Sequence, residues 1–462
     1  MAIRQSTGSR VRAPACLAPG LLIVSLTCPV IGQGSGAEAF STNQGKAERE
    51  AALLELGPAL GPTRVGGARI WIKASRSAAS AVVIGERQDL QDGRSVNGPD
   101  LSAEADFMGM VEVGGLRPST RYFYNIIIDH REALAVPSAF VTPPPEDAAG
   151  RVRFAVTSCV GLPEDAAPAW AELAKVPIDL LLQLGDNIYA GSTDPEVQRR
   201  LYYAHRRVPA HRAVVARTPS LAIWDDWDYA GNNSDGTAAG KELSLRTFKQ
   251  LWPNPGYGQP SDPGVYFKAS WGDVDFFMLD GRYHRNPNDA ADDGRKTMLG
   301  AAQLAWLKRE LAASEATFKF LASGGEWQSR GREDSWRSFL RERDELFRFI
   351  GEQGITGVVL LSGDRHVTAA YQVLGRFVEV TSGPFGAENH EPPYNPDEMF
   401  MLHDDGNFFV VFELDTTASE PALTLEVHQV GRGMVRKRAL SWQEINGEVP
   451  IRTCDLLPDC RH

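Results

Sequence analysis

The sequence predicts a layered α/β (α+β) domain preceded by a small all-β sandwich, and three observations carry that expectation. Up to Val141 the chain runs as short apolar or alternating segments separated by turn residues. Pro143-Pro144-Pro145 then forms a stiff spacer. Beyond it, apolar runs with almost no alternation are separated by stretches of helical periodicity, the pattern of strands buried on both faces.

In the first region, Ala68-Arg69-Ile70-Trp71-Ile72-Lys73, Ala81-Val82-Val83-Ile84 and Met110-Val111-Glu112-Val113 read as strands of a sandwich. Gly115-Leu116-Arg117-Pro118-Ser119-Thr120-Arg121-Tyr122-Phe123-Tyr124 resembles the tyrosine corner of a fibronectin type III or immunoglobulin-like module, with Tyr122 at the corner. Past the spacer, strands are expected at 152–158, 178–184, 221–224, 274–279, 318–321 and 357–361, with later antiparallel strands at 377–380, 408–412 and 422–427. Helices are expected at 166–175, 195–207, 301–314 and 335–352, where apolar residues recur at three- and four-residue spacing.

A chain of 462 residues exceeds one ordinary core. Its net charge of -11, with no basic stripe interleaved with aromatics, argues against a nucleic-acid surface. At the N-terminus Arg4, Arg10 and Arg12 precede a mostly apolar stretch around Leu21-Leu22-Ile23-Val24, and Ala37-Glu38-Ala39 offers a cleavage site. This reads as a signal peptide for export to the periplasm or outside the cell. No transmembrane anchor is expected after its removal, because no later segment reaches the ~20 apolar residues a span needs. The expected organisation is a leader at 1–39, a sandwich at 58–143, the layered domain at 150–445 and a tail at 446–462.

Removing the leader takes Cys16 and Cys28 with it. In an oxidising compartment Cys454 and Cys460 are close enough to pair, which leaves Cys159 odd. Ligation of a metal explains an unpaired buried thiol better than an idle one.

Four strand ends are rich in ligand side chains: Ser158-Cys159, Gly185-Asp186-Asn187-Ile188-Tyr189, the segment Trp224-Asp225-Asp226-Trp227-Asp228-Tyr229-Ala230-Gly231-Asn232-Asn233, and Leu361-Ser362-Gly363-Asp364-Arg365-His366. Taken singly, Asp186 reads equally as a helix cap and Cys159 as a small core residue. Taken together, acids crowded at strand ends repel one another unless cations neutralise them. A thiolate, a carboxylate and a phenolate suit a trivalent iron. Arg282, two residues past Asp280, suits bidentate binding of a phosphate, with a salt bridge to Asp280 or Asp275 as its other reading. His205 and His211 fall in an Arg-rich segment and read as surface residues, and His390 and His403 as parts of a solvated loop. Ser323-Gly324-Gly325 lacks a nucleophile elbow, and neither a P-loop nor a dinucleotide fingerprint is present.

These motifs, with Phe276-Phe277-Met278-Leu279-Asp280-Gly281-Arg282 and residues 298–307, resemble the alkaline phosphatase D family of metallophosphatases, relatives of the purple acid phosphatases. The likeness covers nearly all of the mature chain. It implies two sheets packed between helices, a ferric ion on Cys159, Asp186, Tyr189 and either Asp364 or His366, and Ca2+ or another divalent ion beside it. Asp186 would bridge the two ions, and Asp225 or Asp226 with Asn232 would complete the second site, resemblance favouring Asp226. Asp186, Asp226 and Arg282 are the implied catalytic residues, with Asn232, Arg282 and Trp227 toward the substrate. The implied reaction is hydrolysis of a small-molecule or lipid-derived phosphomonoester or phosphodiester by a metal-activated water. One position departs: the family reads Trp-Asp-Asp-His-Asp, and Trp227 occupies the histidine position. An indole donates a hydrogen bond but shuttles no proton. That allows a different leaving group, a donor such as His284, or a binding protein with reduced catalysis.

Overall fold

The computed structural model describes residues 53–63, 66–330, 332–390, 395 and 397–451. The expected leader and the Cys454–Cys460 pair lie outside the described residues.

The N-terminal strands form two antiparallel sheets. One pairs Leu54–Leu60, Gly66–Ala74 and Met108–Leu116, and the other is built on Ser80–Gly85 and Arg121–Ile128, flanked by Arg94–Asn97, Arg131–Glu132 and Ser138–Val141. The first strand, Leu54–Leu60, starts ahead of the expected sandwich boundary at 58 and has no counterpart in the sequence reading; register shifts let the chain stay paired through Gly57-Pro58, which by sequence breaks a strand. The two-residue period of strand Gly66–Ala74 divides its side chains. Ile70 and Ile72 enter the sandwich core with Val82, Val111 and Tyr124, while Trp71 turns the other way, into the core of the following domain. Trp71 Nε1 donates to the Gln250 carbonyl at 2.9 Å, and Tyr124 Oη donates to that of Ala216 at 2.5 Å. The sandwich therefore packs on the layered domain rather than standing free. At its corner, Tyr122 Oη accepts the Arg117 N–H at 3.0 Å.

The layered domain holds two sheets face to face. The first runs Ser220–Ile223, Leu180–Leu184, Arg151–Thr157, Phe408–Asp415, Ala422–Gln429, Gly433–Leu440, with its first three strands parallel. In the second, Phe267–Ser270 is followed by Val274–Met278, Phe318–Ala322, Val358–Ser362, Phe377–Thr381, Thr368–Val373 and Met399–His403. Its four strands from Val274–Met278 to Phe377–Thr381 are mutually parallel. Phe154 of the first sheet lies 5.1 Å from Phe276 and 4.9 Å from Phe320 of the second, between ring centres, edge to face. These contacts explain the unbroken apolar runs, since each strand meets the opposite sheet on one face and helices on the other. Helix Pro163–Leu173 covers Ala155 and Leu181 of the first sheet. Helices Ala301–Ala313 and Leu340–Glu352 cover Phe277, Leu321 and Leu360 of the second. Helices Pro209–Val215 and Lys241–Leu251 have no counterpart in the sequence reading, and Trp336–Phe339, read as helix, is a 3-10 turn. Within each sheet the parallel strands point the same way, so their C-terminal ends gather on one edge, where loops carry chemistry in this architecture.

Candidate metal centre

Cys159 follows strand Arg151–Thr157, Asp186 follows Leu180–Leu184, Asp226 follows Ser220–Ile223, and Asp364 and His366 follow Val358–Ser362. Candidate ligand atoms of Cys159, Asp186 and His366 all lie within 4.8 Å of one another, and so do those of Asp186, Asp226 and Asp364. Asp186 belongs to both groups. Tyr189 Oη stands 3.0 Å from His366 Nε2, which puts the phenol at the first group. The pair of alternatives Asp364 and His366 is thereby divided, the imidazole going to the sulfur group and the carboxylate to the all-oxygen group.

The backbone shows how such tight turns are made. Cys159, Asp186, Asn233, Asp364 and His366 all have φ between 50° and 63°, the left-handed region that non-glycine residues avoid. Strain of this kind gathers at functional sites when surrounding contacts impose it. Gly185 has φ +101°, and a Cβ there would sit 2.5 Å from the Asp225 backbone nitrogen. Gly324 gives way to the same residue, since its Cβ would lie 2.4 Å from the Asp225 carboxyl carbon.

Supporting bonds fix the ligand candidates. A carbonyl only accepts, so His366 Nδ1 carries the proton it donates to Glu388 O at 2.5 Å, leaving Nε2 with its lone pair toward Tyr189. Asp226 Oδ2 accepts the Asn233 N–H at 2.7 Å. Asp228, the last acid of the Trp-Asp-Asp-Trp-Asp run, accepts from the backbone of Asn187 and Asp225 and from Tyr202 Oη at 2.8 Å, tying two site loops together.

Several placements differ from the sequence reading. Arg282 is fully buried, and all three of its guanidinium nitrogens are bonded within the protein. Its Nε donates to Asp225 Oδ1 at 2.6 Å, its Nη2 to Asp334 Oδ2 at 2.7 Å and its Nη1 to the Ser234 carbonyl at 3.2 Å. The salt bridge is thus real but made with Asp225 and Asp334 rather than Asp280 or Asp275, and it draws Asp225 away from the ligand groups, leaving Asp226 there. Asn232 is exposed in the turn, and the Asn233 backbone reaches Asp226 instead. His390 is no solvated loop residue: its ring stacks on His366 at 3.9 Å. His403 ends strand Met399–His403, and His284 is bonded to the Pro263 carbonyl at 2.8 Å, away from the ligand groups. His205 and His211 are buried: the Arg-rich helix Pro195–Arg207 turns Tyr202, His205 and Arg206 inward, and helix Pro209–Val215 does the same with His211, Val214 and Val215. Ser323 is buried and its hydroxyl accepts from Trp336 Nε1 at 3.3 Å. Trp227 is half-buried with its ring 5.4 Å from that of Tyr189.

Asp334 escaped the sequence reading altogether, since nothing in its loop marks it. It anchors both Arg282 and Arg285, which hold it down at about 2 against the effect of burial. Asp228 had a signal, as the third acid of its run.

The electrostatics fit a cation-binding site. Burial, and then repulsion by Asp226 and Asp225, pushes the Asp186 carboxyl well above its ordinary range. Asp364 rises likewise through burial and then Asp225 and Asp226. Burial followed by the charge of Asp186 raises both the Cys159 thiol and the Tyr189 phenol. Asp186 Oδ1 and Asp226 Oδ1 are buried without a hydrogen-bond partner among the described residues. Crowded anionic donors with unused oxygens are what cations stabilise. The sulfur, phenol and imidazole donors suit iron, and the three carboxylates a hard cation such as calcium.

A family model described as PhoD-like phosphatase matches residues 154–399, which hold every one of these ligand candidates. The chain belongs to the PhoD-like phosphatase family. A second model, a domain of unknown function (DUF7800), matches residues 51–146. Alkaline phosphatase D of Bacillus subtilis (strain 168) is 25% identical to this family member over 329 residues, covering 60% of the chain and 56% of the relative. The chain therefore spans a little over half the length of that curated relative. The structure of PhoD superimposes with a TM-score of 0.69 at 18% identity, over 87% of this chain and 93% of the other. That of a purple acid phosphatase from yellow lupin (Lupinus luteus) seeds does so with 0.63 at 13%, over 86% and 75%. Both show a shared fold. Among the described residues no helix is long and apolar enough to cross a membrane.

Proposed function

We propose that this protein is an exported metal-dependent phosphoesterase, hydrolysing phosphomonoesters or phosphodiesters of small-molecule or lipid-derived alcohols. The observation that carries the reading is the presence of Asp186 in both ligand groups, which suits one carboxylate bridging two ions. Cys159, Tyr189 and His366 with Asp186 would hold Fe3+, and Asp226 and Asp364 with Asp186 would hold Ca2+ or another divalent ion. Such a pair supplies charge for the phosphate oxygens and lowers the pKa of a water poised in line with the leaving oxygen.

The chain's own groups prepare that chemistry. Glu388 fixes the His366 tautomer, and Arg282 withdraws Asp225 and so sets the position of the adjoining Asp226. Trp227 stands beside Tyr189 and can donate an indole N–H but no transferable proton. The leaving group must therefore be one that departs as an anion, such as a phenolate, or one protonated from another source. Trp227 also supports a second reading, a binding or cell-surface protein with weakened catalysis.

Purified protein separates these readings. The first expects one iron and one divalent ion per chain, a visible tyrosinate-to-iron band that disappears in Tyr189→Phe, and turnover of aryl phosphates. A colourless, metal-free protein inert toward aryl mono- and diesters at every pH would sink it. The second expects the metals and the colour without turnover, with activity appearing in Trp227→His.

A further inference from the structure

Asn187, the residue after Asp186, helps to line a second, small cavity, together with Trp170, Gln183, His205, Arg206, His211 and Trp252. It has room for a single water-sized particle. All seven residues are more than nine-tenths buried. Each leaves one polar atom with no hydrogen-bond partner among the described residues: Trp170 Nε1, Gln183 Nε2, Asn187 Oδ1, His205 Nδ1, Arg206 Nη1, His211 Nδ1 and Trp252 Nε1. Buried polar atoms are almost always satisfied, so seven around one small space call for an occupant.

The chemistry of the lining says which. Arg206 spends Nη2 on the Leu251 carbonyl at 2.6 Å and lays its guanidinium 3.9 Å over the Trp71 ring, with Nη1 left over. No carboxylate pairs with it among the described residues. Burial lowers its pKa to about 10, opposed by the hydroxyls of Tyr203 and Tyr202. An unpaired buried cation is strongly destabilising unless something neutralises it. A water would satisfy hydrogen bonds but not the charge. Indole, guanidinium and amide N–H groups only donate, and against these four donors Asn187 Oδ1 is the single obligate acceptor among the unpartnered atoms.

We propose that this cavity binds a monatomic anion of the chloride type, held by Arg206 Nη1, Trp170 Nε1 and Gln183 Nε2 with the imidazoles of His205 and His211 around it. The occupant joins helix Pro195–Arg207, helix Pro209–Val215 and strand Leu180–Leu184 at one point, immediately behind the loop that carries Asp186. The anion is a structural ligand, separate from the candidate metal centre.

The test uses the full chain. At fixed ionic strength, replacing gluconate by chloride or bromide should raise the thermal midpoint along a saturable curve. Trp170→Phe, which keeps the ring and loses the N–H, should raise the half-saturating halide concentration roughly tenfold. Arg206→Met should remove the halide response, and should it fail to fold, the Trp170→Phe shift and the crystal experiment decide. Crystals soaked in bromide should show an anomalous peak in the cavity. A wild-type midpoint indifferent to halide, or density for water alone with no bromide signal, would overturn the proposal.

Discussion

Arg282→Met tests whether Arg282 positions Asp225 or binds substrate. Arg282 and Asp225 have side chains 0% and 3% exposed. An exposed ion pair is worth less than ~1 kcal/mol, whereas removing one partner of a buried pair costs ~3–5 kcal/mol, because the other charge stays desolvated. Asp334 keeps Arg285 and Asn288 after the change, so the loss falls on Asp225, whose Oδ2 already has no partner among the described residues. The lower end of the range is expected, ~3 kcal/mol. For a chain of this size m in urea is at least ~3 kcal/mol/M, so the urea midpoint should fall by up to ~1 M. In a double-mutant cycle, adding Asp225→Asn should cost less than the sum of the two single changes, since the pair is coupled. Turnover of an aryl phosphate should fall in kcat, through displacement of Asp226, more than it rises in KM. An unchanged midpoint with KM raised and kcat preserved would show a substrate-binding arginine and refute the reasoning.

Two other perturbations probe the frame of the site. Gly324→Ala places a methyl on the Asp225 carboxylate, so it should cost ~1–3 kcal/mol and lower metal content, while Gly114→Ala, with nothing within 4 Å of the new methyl, should do neither; metal analysis and thermal midpoints decide. Glu379 is buried and raised to about 8 by burial and then by Glu326. A carboxyl raised in the fold favours its neutral form there, so its contribution to stability is complete below about pH 4.5 and is lost as pH rises through about 8. Glu379→Gln should therefore flatten the decline of the urea midpoint across that window, and identical pH profiles for wild type and variant would contradict the assignment.

Much of the architecture is legible in the sequence. The apolar runs at 152–158, 178–184, 274–279 and 357–361 are strands because nothing but a doubly covered sheet hides so much unalternated apolar surface. Trp71 was harder to place. Alternation shows that it faces away from Ile70 and Ile72, but not that a second domain waits on that side. His205, His211 and Arg206 defeated the local pattern, since charge normally marks a solvated helix face and here a cavity accepts it. Asp334 had no local signature, because its role comes from two arginines some fifty residues away in the chain.

What the sequence determined by itself was the chemistry on offer: an odd cysteine, the Gly185-Asp186-Asn187-Ile188-Tyr189 turn, and acids and a histidine at the ends of parallel strands. Those are local facts, fixed by composition and by the short-range rules of strands and turns. The tertiary structure decided the partition, placing His366 with Cys159, Asp364 with Asp226, Asp186 with both, and Asp225 with Arg282. Adjacent acids such as Asp225 and Asp226 are equivalent in sequence. They become different only when a buried guanidinium from another loop neutralises one and leaves the other to its anionic neighbours.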